Sequence, residues 1–106
     1  MSEYGKIIET EVKRQHREKF TLLAEKLGIG WPDENEKFMG RTLQQWSELY
    51  AKDEHLNNVP LREFDAYYGP HLITAHRNGL KGWSYSDTTC VLKTVIINKI
   101  LANRGK

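Results

Sequence analysis

The 106-residue chain is long enough for one domain, and its 39% apolar and 28% charged residues, with three Trp, five Tyr and three Phe, exclude a disordered or low-complexity protein. A single cysteine, Cys90, excludes an internal disulfide and a four-cysteine zinc site, and no apolar run approaches the ~20 residues that cross a bilayer. The net charge of +2 conceals an uneven spread: residues 1–75 hold ten Lys/Arg against thirteen Asp/Glu, whereas residues 76–106 hold six against one, Asp87. Such asymmetry points to an anionic partner, or to a basic tail folded onto an acidic body.

The first predicted element is a helix from about Ser2 to Leu27, with Ser2 as its N-cap. Tyr4, Ile8, Val12, Phe20, Leu23 and Leu27 fall within one arc at ~100° per residue, while Glu9, Lys13, Arg14, Arg17, Glu18 and Glu25 mostly occupy the other side. His16 lies inside the apolar arc and reads as a packed core or rim histidine in preference to a switch. The opening residues lack a basic start followed by an apolar run, so no secretory signal is read and a cytoplasmic location is expected. Gly28, Gly30 and Trp31-Pro32 end the helix.

Asp33 to Glu36 suits a short helical turn, and its carboxylates lack the spaced Asp/Asn-Gly pattern of a calcium loop. After Gly40, Thr42 and Gln45 form a capping-box pair ahead of Leu43, Trp46, Leu49 and Tyr50, which predicts a helix from about Thr42 to Lys52. Asp53 to Asn58 is a loop. Pro60 opens a third helix through Leu61, Phe64 and Tyr67 or Tyr68. Gly69-Pro70 is expected to interrupt it and to start a fourth, which Asn78-Gly79 stops near Arg77.

Ser84-x-x-Asp87 is a second capping pattern, and the segment from there to about Asn103 carries Cys90, Val91, Leu92, Val95, Ile96, Ile97, Ile100 and Leu101 around most of a helical wheel. Its Thr, Val and Ile content also suits a strand, but its length without a breaker favours helix. The fold expected is therefore all-α: a single domain over residues 1–106, an irregular bundle of four to five helices with a largely buried C-terminal helix. Should one core not cover that last helix, a homodimer or a protein partner would.

No catalytic motif is present. His71 and His76 lie about 140° apart on a helix, too far for a shared metal. Nothing matches the zinc-protease, nucleophile-elbow, phosphate-loop or dinucleotide signatures. Cys90, amid Thr, Val and Leu, reads as a small buried apolar residue in preference to a nucleophile. No catalytic residue, cofactor or metal ligand is assigned, and a non-enzymatic protein is expected.

The candidate site is the stretch His76–Ser86. Arg77 and Lys81 bring positive charge, Gly79 and Gly82 allow close backbone approach, and Trp83 and Tyr85 offer flat faces. Ser84 and Ser86 stand at a helix N-terminus, and His76 and Lys99 flank the set. Each of these residues also has a structural role available: helix stop, core plug or cap. A helix-turn-helix alignment fits poorly, because the connection is long and the last helix lacks a polar reading face. The function expected is a small regulatory or accessory protein that binds nucleic acid, with DNA ranked ahead of RNA. The alternative is a protein-binding adaptor or inhibitor acting through aromatic and apolar surface. No membrane partner is expected.

Overall fold

The computed structural model describes residues 3–31, 33, 35–59, 61–77, 79 and 84–104, and the side chains of all of these except 3–10, 61, 76 and 85. Four helices make up the fold: α1 (Glu3–Leu27), α2 (Leu43–Lys52), α3 (Leu61–Arg77) and α4 (Tyr85–Arg104). Among the described residues there is no strand beyond an isolated bridge between Phe38 and Arg41. This is the all-α bundle that the periodicities predict.

The last helix is central because apolar side chains surround most of its circumference. Val91, Leu92, Ile96 and Ile100 are fully buried, and Thr88 and Thr94 are buried with them. Val95 and Ile97 pack partly buried against the same core. The covering comes from α1, α2 and α3 of the same chain, so the apolar circumference of α4 is largely satisfied without a second subunit. The strand alternative for this segment is set aside by the same observation.

The turns follow from local chemistry. Gly28 adopts φ +73°, and the Gly28 N–H donates to the Glu25 carbonyl (3.1 Å) while the Ile29 N–H donates to that of Ala24 (2.9 Å). These two bonds are a Schellman stop, and the buried Ile29 supplies its apolar contact. Further on, Met39 and Gly40 both have positive φ, and the chain folds back so that Phe38 and Arg41 exchange backbone hydrogen bonds of 2.9 and 3.2 Å. Trp46, fully buried, donates its indole N–H to the Phe38 carbonyl at 2.6 Å and so pins this turn to α2. Arg41 stacks over the Trp46 ring and forms an ion pair with Glu63 of α3.

Two expectations are corrected. Gly69-Pro70 does not divide the third helix: α3 runs from Leu61 to Arg77 with Pro70 inside. Pro70 removes one hydrogen bond, to the Ala66 carbonyl, but Ala66 and Pro70 are both exposed, so water can take that acceptor. Gly69 has no Cβ to clash with the proline ring, and so tolerates the helical conformation that a larger residue before proline resists. The second correction concerns His16, which is exposed, not packed. On the same arc Val12 is 48% exposed, and among the described side chains of α1 packing against the core begins around Phe20. The predicted N-cap Ser2 lies outside the described residues.

Candidate nucleic-acid interface

At the α3–α4 junction, Arg77 ends α3 and is exposed, and Ser84 and Ser86 open α4 on its exposed side. The hydroxyl of Ser84 is committed internally. It accepts from the Asp87 N–H (3.3 Å) and donates to Asp87 Oδ2 (3.0 Å), while the Ser84 N–H donates to the same oxygen (3.1 Å). The capping box foreseen from sequence is therefore formed. It also sets a carboxylate at the helix start, where that carboxylate competes with any incoming anion for the same dipole and N–H groups. Ser86 remains at the surface. Lys81 and Trp83 lie outside the described residues, as do the side chains of His76 and Tyr85.

Lys99 does not join this group. From Ser86 it stands about 140° around α4 and roughly 20 Å along it. It lines instead a shallow depression with Ala24, Trp31 and Val95.

A different constellation emerges between α1, α4 and the loop after α2, around a groove of about 390 Å³. The two helices are in register there, since Asn98 Nδ2 of α4 donates to Thr21 Oγ1 of α1 at 2.6 Å. On α1, Lys13, Arg17 and Phe20 recur at spacings of four and three and so share one face, with His16 beside them. On α4, Cys90, Lys93 and Ile97 form the facing row, and Ser86 continues it by one turn toward the junction. Tyr50, near the end of α2, completes the apolar floor. Cys90 is thus partly exposed on a groove wall, not sealed in the core.

The third wall is the loop carrying Glu54, His55 and Asn57. Its conformation is imposed by two residues. The Asp53 carboxylate accepts backbone N–H groups from His55 (3.2 Å) and Asn58 (2.7 Å). These bonds, that from Asn58 foremost, hold its pKa below the usual aspartate value. Leu56 adopts φ +54°, a left-handed conformation rare for a branched side chain, and is buried to 1% exposure. The loop then reaches both helices: Lys13 Nζ meets Glu54 Oε1 at 3.4 Å, and Lys93 Nζ donates to Asn57 Oδ1 at 3.1 Å.

Electrostatically the groove presents Lys13, Arg17 and Lys93 against one carboxylate, Glu54. By contrast, Arg14 points its guanidinium to Glu11 and Glu18 of its own helix. Two further cations lie near the floor's rings, Lys19 at 5.4 Å from the Phe20 centroid and Arg104 at 5.5 Å from that of Tyr50. Among the described residues, no group of three His, Cys, Asp or Glu side chains is placed to hold a metal ion, and no helix is long and apolar enough to cross a membrane.

The sequence alone points to the 76–86 stretch and does not single out Lys13, Arg17 or Lys93. One signal was available: Lys13 and Arg17 are like charges at i,i+4, an arrangement that costs a helix stability unless something anionic stands nearby. Comparison with protein-family models, with curated proteins and with solved structures returns no match.

Proposed function

We propose that the protein is a small, non-enzymatic accessory or regulatory protein that binds nucleic acid through contacts to its phosphates. The observation that supports this most directly is the convergence of Lys13 and Arg17 from one helix with Lys93 from another around a single concave surface. Three cations spread over two helices suit a repeating anion, because phosphate contacts give affinity and position without requiring a catalytic group. Ser86, on the same row of α4, and the exposed Arg77 extend the polar surface toward the junction named by the sequence.

The test is a binding titration with salt as the variable. Three phosphate contacts predict a slope of log affinity against log salt of about −2 to −3, and reversing the charge of Arg17 or Lys93 removes roughly one unit from it. A parallel reversal at Arg77 and Lys81 measures the junction's share. Binding that is insensitive to salt, or unaltered by all four reversals, refutes the proposal.

A second reading, a protein-binding adaptor, is favoured by one observation: Val12 and Leu22 on α1 and Ile73 on α3 are large apolar side chains at 48, 64 and 55% exposure. It predicts a complex that survives high salt and is disrupted by Val12→Glu or Leu22→Glu.

A further inference from the structure

We infer that the groove takes single-stranded nucleic acid in preference to duplex, with bases resting on the Phe20–Tyr50 floor and phosphates held by Lys13, Arg17 and Lys93; this rests on the nucleic-acid reading above. A phosphate-only contact with a duplex needs a charged surface and nothing apolar beneath it, since a duplex keeps its bases stacked inside and presents a convex backbone. Here the cations stand around a concave floor made by Phe20, Tyr50 and Ile97. A duplex would leave that floor uncovered. A single strand covers it, because its bases are free to leave the backbone and stack on an aromatic ring.

The rings themselves are arranged for such a ligand. Phe20 and Tyr50 are both half-buried, packed against the core and lining the groove. Each also has a cation near its centroid, Lys19 and Arg104 respectively. Aromatic faces flanked by guanidinium or ammonium groups are the combination by which sequence-tolerant single-strand binders hold bases and backbone at once. The groove's volume of about 390 Å³ lies within the range of ligand pockets, which limits it to a short stretch of chain at a time.

Fluorescence anisotropy with a labelled oligothymidylate and a labelled duplex, at one low salt concentration, tests this on the full chain. The expected result is tighter binding of the single strand, by about tenfold for each base stacked. Tyr50→Leu should reduce that preference by about tenfold, the share of one stacked base, with Phe20 keeping the remainder. Because Tyr50 also touches the core, a second measurement uses the unaltered protein: a 4-thiothymidine oligonucleotide is photo-crosslinked and the adduct mapped. Adducts at Phe20 or Tyr50 support the inference, and adducts confined to other segments overturn it. Equal or tighter binding of the duplex overturns the single-strand preference and leaves the nucleic-acid reading standing. Failure to bind either oligonucleotide at low salt overturns both.

Discussion

Lys13 of α1 and Glu54 of the loop after α2 meet at 3.4 Å although 41 residues separate them in the chain. Both side chains are largely in water, so the pair adds little to folding. Its effect falls on the groove, where Glu54 occupies one of three cations that a polyanion would use. Glu54→Gln should therefore raise nucleic-acid affinity by about two- to fivefold and leave the thermal midpoint where it was. Anisotropy and thermal denaturation on the same sample check this, and weaker binding in the variant would show that the carboxylate assists the ligand.

Ser84 separates capping from recognition. With its hydroxyl bonded to Asp87 on both sides, Ser84→Ala should cost about 1 kcal/mol in urea denaturation and leave binding intact. A variant of normal stability that no longer binds would make Ser84 a phosphate ligand and return the helix start to the interface.

Trp46 joins α2 to the Phe38–Arg41 turn through one indole hydrogen bond of 2.6 Å in a fully buried setting. Trp46→Phe removes that bond and opens a small cavity, for an expected loss of about 2 kcal/mol. The Phe38 carbonyl still receives the Arg41 N–H, which keeps the cost from rising further. Equilibrium unfolding should show a lower midpoint with an unchanged denaturant slope.

His71, on α3, has its pKa lowered from the usual 6.5 by burial. The folded state therefore holds the neutral ring, and the unfolded chain binds the proton more readily. The stability linked to this group is complete above pH 6.5 and drains away as pH falls from there to the folded value. A His71→Gln variant should flatten the stability–pH curve over that acid interval. An unchanged slope would assign the acid sensitivity to other groups.

Much of the fold is legible in the sequence because it is set by short-range rules. Thr42 with Gln45 and Ser84 with Asp87 are formed capping boxes, and Gly28 closes α1 as its spacing requires. Where the reading failed, solvent or tertiary geometry decided. Pro70 is tolerated because the acceptor it strands faces water, and burial is not visible in a local pattern. His16 sits in an apolar arc, but it and its arc neighbour Val12 are both exposed. The groove was illegible for a related reason: Lys13 and Lys93 lie 80 positions apart, and only the register of α1 on α4 makes them neighbours. What sequence did show was an excess of positive charge after Ala75, and one of those residues, Lys93, lines the groove.

Leu56 has an implication beyond its own burial. Sealed beneath the loop in a left-handed turn, it fixes how far Glu54 and Asn57 reach toward the two helices, yet no ligand can touch it. Trimming it to valine would shift that wall and alter the groove's aperture with every contacting residue unchanged. If the groove binds a ligand, its aperture is thus set from the interior, at a position that surface mapping would never sample.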